Sequence, residues 1–207
     1  MPAGAGAADQ SGPPGPFGVI VLAGGRGARL GGRDKPGLVV GSHTLIEAVL
    51  AAGTAAGARQ VIVVGPQRAG LAGASFVTEQ PPGAGPVPAL RRGLAEAQLP
   101  WVAVLAADLP FLRPGHLGVL LQAAAGHQGA VLTDQTGRPQ WLAGCWRTGT
   151  VAAAAASYQG TSLGGLLGPL DPVLVRLPPA PGEPPPWLDC DTPEDLQAAR
   201  AWTSPAR

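Results

Sequence analysis

Three stretches of this 207-residue chain carry side chains suited to polyphosphate and metal chemistry. The first is LAGGRGARLGGRDK (22–35), a glycine-rich loop that holds three arginines and the chain's only lysine. Backbone N–H groups beside glycines can approach phosphate oxygens closely, and Arg29 and Lys35 together could neutralise a triphosphate. The loop does not fit G-x-G-x-x-G, because Leu30 stands where a third glycine would follow Gly25 and Gly27. It does not fit G-x-x-x-x-G-K-[ST] either, because Asp34 precedes Lys35 and Pro36 follows it. On its own residues the loop reads equally as a phosphate cradle or as a flexible turn in a glycine-rich chain. The second stretch ends WVAVLAAD at Asp108, just before LPF. A carboxylate there can be a hard oxygen ligand for Mg²⁺ bridging phosphates; the alternative is an aspartate that starts the turn before Pro110. The third is the acidic pair Asp189 and Asp191. Asp191 could complete a metal shell, could be a helix-start residue beside Thr192, or both.

The elements that must position these groups alternate in type. GVIVLA (18–23), QVIVVG (60–65), WVAVLAAD (101–108) and GAVLTD (129–134) are short apolar runs rich in β-branched residues, which predict strands buried on both faces. Between them, helical spacing begins at Thr44, Pro86 and His116, with Leu45, Val49 and Leu50 on one side of the first. The second is expected to run over 86–98. Beyond residue 135 the pattern weakens to a short strand within 141–146, helix-prone stretches at 150–158 and 162–168, and a strand at 173–177. Residues 178–186 are too proline-dense for either and predict an exposed connector. Thr192 as N-cap, Pro193 at N1 and Asp195 at N3 predict a closing helix. This order implies βαβ units and a mostly parallel sheet in a single α/β domain over 17–203, after a disordered Gly/Ala/Pro tail at 1–16. Ligands of such sheets bind beyond the carboxyl ends of the strands, where the glycine loop and Asp108 both fall.

Composition removes several classes of function. A net charge of +1 gives no basic field for nucleic acid or an anionic membrane surface. No run of eighteen apolar residues occurs, and the first residues lack the basic and apolar regions of a secretory signal, so a cytoplasmic protein is expected. Cys145 and Cys190 lie far apart with no histidine cluster nearby, which argues against a zinc site or a disulfide framework. His43, His116 and His127 show no partner arrangement and read as surface or packing residues.

The loop's L-A-G-G…R-x-G-G-x-D-K pattern resembles the signature of nucleotidyltransferases with the nucleotide-diphospho-sugar transferase fold, a Rossmann-like three-layer α/β/α arrangement. It is most similar to that of the molybdenum cofactor guanylyltransferases, the MobA-like NTP transferases. EQPPGAGPVPALRRGL (79–94), VLAADLPFL (104–112), RPQWLAGCWR (138–147) and LDCDTPEDL (188–196) resemble further segments of that family in the same order. The resemblance implies that Leu22, Ala23, Gly24 and Gly25 contact the guanine base and ribose, and that Arg29 and Lys35 hold the triphosphate. It implies Mg²⁺ on Asp108, whose shell Asp191 could complete. Glu79 stands where relatives often carry Asp, so a base or ribose contact is implied there, with a solvated loop carboxylate as the alternative. The expected reaction is GMP transfer from GTP to the phosphate of molybdopterin carrying molybdenum, with contacts to proteins that make or receive that cofactor. A sibling enzyme using CTP or another phosphorylated acceptor, and a nucleotide-binding protein without turnover, are the alternatives. Trp141 and Ala89 depart from the family's usual residues, and the former lies on the acceptor side, where it or Trp146 could stack on a pterin or pack in the core.

Overall fold

A computed structural model describes residues 15–24 and 34–203 of the chain. Strand β1 (Phe17–Leu22) shows the period of two that burial on both faces demands. Val19 and Val21 enter one apolar cluster, while Ile20 between them enters another on the opposite face. After the loop, a 3-10 turn at Lys35–Gly37 leads to a small hairpin, β2 (Val39–Val40) and β3 (His43–Thr44). Gly41 at its bend has φ +63°, a left-handed conformation that favours glycine.

Helix α1 (Leu45–Ala55) starts where Thr44 caps it, with Glu47 returning the bond to the Thr44 N–H. Then come β4 (Gln60–Val64), β5 (Ser75–Val77), α2 (Pro86–Leu94), β6 (Trp101–Ala106), α3 (Pro114–Ala123), β7 (Gly129–Thr133) and β8 (Pro139–Arg147). Helices α4 (Thr148–Ser157) and α5 (Leu163–Leu167), strand β9 (Val173–Arg176) and helix α6 (Pro193–Thr203) complete the order among the described residues.

The seven-stranded sheet runs β5-β4-β1-β6-β8-β7-β9, and every strand in it but β8 points the same way. β8 is reversed because it forms a hairpin with β7, whose loop is tied by Asp134 Oδ1 accepting from the Thr136 and Arg138 N–H groups. Helices α1 and α3 cover one face, and α2, α4 and α5 the other, so the three-layer α/β arrangement expected from the sequence is present. A third cluster, with Val40, Leu45, Cys190, Leu196 and Ala199 buried, fastens α6 to the hairpin and the start of α1.

Several boundaries differ from the sequence reading. The helix expected over 86–98 stops at Leu94, since the Gln98 N–H bonds the Gln60 side chain as the chain turns into β6. The strand expected within 141–146 extends over Pro139–Arg147, paired on both sides. β5 and the β2–β3 hairpin were not expected; three and two residues are too short to show a period. The tail at 1–16 lies outside the described residues except for Gly15 and Pro16.

Candidate functional site

β1 lies between β4, which follows it in the sheet's chain order, and β6, which arrives only after the crossover through α2. The strand order therefore reverses at the β1–β6 pair, the position where open α/β sheets bind ligands. Leu22 and Ala106 end these two strands in register, and the Ala107 N–H still donates to the Leu22 carbonyl at 3.2 Å. The next residue is Asp108. On the other side, the Ala23 N–H donates to the Val64 carbonyl at 2.8 Å, so Ala23 and Gly24 leave the sheet in a fixed direction. The β4 terminus comes close enough that a Cβ on Gly65 would lie 2.9 Å from the Ala23 carbonyl carbon, which only glycine tolerates.

A pocket of about 340 Å³ opens at this edge. Its floor is Leu22, Ala23, Gly24, Ala106 and Ala107, and its charged groups are Lys35, Glu79, Asp108 and Asp191. One wall is Gly85, Pro86 and Ala89 of α2. Helix N-termini commonly attract anions through free N–H groups; here Pro86 and Pro88 have none and the Ala89 N–H is taken by the Gly85 carbonyl, so of the first turn of α2 only Val87 keeps an N–H to offer. That wall is an apolar shelf, suited to a flat ring more than to a phosphate.

The Lys35 ammonium donates to Asp108 Oδ2 and to Asp191 Oδ1. These partners are 73 and 156 residues away in sequence. The lysine is held by the 3-10 turn, in which Pro36 is buried, Leu38 N–H bonds the Lys35 carbonyl at 3.0 Å, and Asp34 pairs with Arg68. Burial pulls the Lys35 pKa down, but the charge of Asp108 and its hydrogen bond, reinforced by Asp191, outweigh it and the net shift is upward. Asp191 is delivered by the anchor of the third cluster: Cys190 is fully buried there, and its neighbours Asp189 and Asp191 both emerge toward the sheet edge. Thr192 and Asp195 exchange hydrogen bonds as a capping pair for α6, as the sequence predicted. Burial, and next the charges of Asp191 and Asp108, push the Asp189 carboxyl above its ordinary range.

Glu79 is 4% exposed, and its Oε1 accepts from the Gly83 N–H at 2.8 Å. Its Oε2 is buried and has no hydrogen-bond partner among the described residues. The carboxylate lies over Gly24, where a Cβ would sit 3.4 Å from Oε1. Glu79 is thus a buried pocket group and not a solvated loop carboxylate.

Beyond Asp108 the pocket continues into a wider groove of about 1340 Å³, shared through Pro86, Ala106, Asp108, Leu142 and Asp191. Arg138, Gln140 and Trp141 of the β7–β8 hairpin line it, with Trp187 and Asp189 opposite in the chain's final third. The Trp141 indole rests on α5, where a Cβ on Gly164 would meet Nε1 at 3.0 Å. Trp146, by contrast, is fully buried in the core.

Of the residues expected from the sequence, Leu22, Ala23, Gly24, Lys35, Glu79, Asp108 and Asp191 line one pocket. Gly25 and Arg29 lie outside the described residues. The sequence reading missed the shelf at Gly85 to Ala89 and the place of Trp187, whose one signal was a tryptophan closing a proline-dense connector. Mg²⁺ would suit the donor set. Asp108 and Asp191 offer hard carboxylate oxygens, and Asp108 Oδ1 is buried without a partner among the described residues. No group of three or more His, Cys, Asp or Glu side chains placed to hold a metal ion occurs among the described residues.

A family model described as the MobA-like NTP transferase domain matches residues 19–173. A probable molybdenum cofactor guanylyltransferase of Natronomonas pharaonis is 30% identical over 198 residues, covering 87% of this chain and 95% of that protein. A phosphoenolpyruvate guanylyltransferase of Sanguibacter keddieii is 48% identical over 67 residues, 30% of this chain but only 24% of that protein. Among solved structures, 2-C-methyl-D-erythritol 4-phosphate cytidylyltransferase from Thermus thermophilus superposes with a TM-score of 0.69 at 23% identity, covering 91% of this chain and 98% of that one.

Proposed function

The chain belongs to the MobA-like NTP transferase family, and from that premise we propose that it transfers GMP from GTP to the phosphate of molybdopterin-bound molybdenum, releasing pyrophosphate. In this reaction an acceptor phosphate oxygen forms a bond to the α-phosphorus as the bond from that phosphorus to the bridging oxygen of the leaving pyrophosphate breaks. The step needs no covalent intermediate on the protein, so the chain's contribution is position and charge. Leu22 to Gly24 and the α2 shelf hold base and ribose; Lys35, with Arg29, holds the triphosphate and follows the negative charge onto the departing pyrophosphate. Mg²⁺ held by Asp108 and Asp191 would supply Lewis-acid neutralisation of the phosphate oxygens. The wide groove past Asp108 takes the acceptor. Its volume of about 1340 Å³ and two indoles, Trp141 and Trp187, favour a large planar acceptor over phosphoenolpyruvate.

The observation that carries the choice of guanine is the unpartnered Oε2 of Glu79. An ionised carboxylate accepts hydrogen bonds and donates none. The guanine edge offers it two adjacent donors, N1–H and the N2 amino group, whereas cytosine sets an acceptor, N3, beside its amino group. Cytosine can satisfy one carboxylate oxygen through its amino group but sets N3 against the other, whereas guanine offers a donor to each, and that mismatch discriminates between the bases. Nucleotide binding and pyrophosphate release, compared for GTP and CTP, test the reading. Wild-type protein is expected to prefer GTP, and Glu79→Gln to lose about 10- to 100-fold of that preference, the worth of a hydrogen bond to a charged group. A wild-type preference for CTP, or an unaltered preference in Glu79→Gln, overturns it.

A further inference from the structure

From the two contacts of the Lys35 ammonium we infer that lysine and divalent cation compete for one seat, so that this protein takes up metal together with nucleotide and poorly without it. The inference rests on the reading of the pocket as a nucleoside-triphosphate site. The ammonium donates to Asp108 Oδ2 and Asp191 Oδ1, the oxygens that a metal spanning the two carboxylates would use. Mg²⁺ binds oxygen at about 2.1 Å, and a charged N–H···O pair spans roughly 2.8 Å. A cation bound to both oxygens therefore lies within about an ångström of the position of Nζ, and the two cannot be there at once.

Displacing the ammonium is not free. The Lys35 side chain is 11% exposed and Asp108 16%, whereas Asp191 is 48% exposed, so a lysine driven off by metal gives up above all its charged hydrogen bond to Asp108, which water replaces poorly. Its backbone is fixed by the 3-10 turn and buried Pro36, so the head group moves only on its own carbon stem. The same stem borders the pocket shared with Gly24 and the α2 shelf. A triphosphate there offers the ammonium new oxygens at the moment the carboxylates are released, and its own oxygens complete the metal's shell. Metal without nucleotide must evict the lysine uncompensated. Nucleotide without metal leaves the lysine shared between phosphate and carboxylates. The two ligands thus favour each other's binding through one side chain, and by linkage the coupling is reciprocal.

The test is a Mn²⁺ titration of the full chain, followed by the loss of the free-ion electron paramagnetic resonance signal. It is run alone and with the α,β-methylene analogues of GTP and CTP, which cannot be turned over. Wild-type protein is expected to bind Mn²⁺ at least about tenfold more tightly when an analogue is present. Lys35→Met, of similar length but uncharged, is expected to bind Mn²⁺ without nucleotide about tenfold more tightly than wild type and to show a smaller gain from the analogue. Adding Asp191→Asn to Lys35→Met is expected to remove the variant's advantage. Lys35→Gln repeats the measurement should the methionine variant fail to fold, as judged by circular dichroism. A Lys35 variant that folds but gains no nucleotide-free Mn²⁺ affinity overturns the inference, as does equal wild-type affinity with and without both analogues. Coupling with the CTP analogue alone would refute the guanine assignment and leave this inference standing, so the two can fail separately.

Discussion

Helix α2 forms one wall of the pocket at the β1–β6 edge, and Gly93 sets how close α2 can lie to the sheet. A Cβ built on Gly93 would sit 2.6 Å from Ile20 Cγ2 and 3.0 Å from Val64 Cγ2, both in fully buried residues of the strands beneath. Ordinary carbon contacts are about 3.5–4.0 Å, so Gly93→Ala requires α2 to lift by about 1 Å or both side chains to leave their rotamers. Such overpacking costs about 1–3 kcal/mol, against which alanine's helix propensity returns about 1 kcal/mol. The expected net loss is about 0–2 kcal/mol. Gly118 in α3 provides the control, because a Cβ there meets nothing within 4 Å. Gly118→Ala should therefore gain about 0.5–1 kcal/mol from propensity and the lost entropy of the unfolded chain. Urea unfolding and thermal melts measure both; in a chain of this size each kcal/mol moves Tm by about 2–4 °C. The lifted helix also carries Pro86 and Ala89 away from the floor at Ala23 and Gly24, so Gly93→Ala should weaken GTP binding while Gly118→Ala leaves it unchanged. Shifts of the same sign at the two glycines would refute the packing argument.

Asp189 gives a pH-dependent effect whose sign is fixed by its surroundings. Burial and the charges of Asp191 and Asp108 raise its pKa in the folded chain, so above that pKa its ionisation works against folding. Asp189→Asn should raise Tm at mildly alkaline pH, with the gain closing as the pH falls through the wild-type carboxyl's pKa; no gain in alkali would contradict the assignment. The two cysteines should be chemically silent. Burial pushes the Cys190 thiol up to about 12 and raises that of Cys145 as well. Native protein at neutral pH should therefore leave both unlabelled by an aromatic disulfide reagent that labels them in denaturant, and rapid native labelling of either would show that its site opens.

How much of this was legible in the residues depends on the range of the physics involved. The core strands β1, β4, β6 and β7 were legible because burial on both faces writes itself locally as an unbroken β-branched run, and their ends placed Leu22 and Asp108 at one edge. β8 carries its apolar letters too, but its reversed direction follows from the Asp134 turn and from pairing with β6, neither of which has a period. Trp141 and Trp146 stand on that same strand, and composition cannot tell the one that lines the groove from the one that fills the core; the glycines of α5 decide it, from more than twenty residues on. The charged centre was least legible of all. Asp108 read as a metal ligand and Lys35 as a phosphate ligand, two roles that seemed independent because 73 residues separate them. Their contact arises only when the 3-10 turn at Pro36, the end of β6 and the Cys190 anchor of α6 are brought to one point. Residue types there disclosed the ligands each group could hold, and only the fold discloses that the two groups hold each other, which turns separate binding roles into a coupled one.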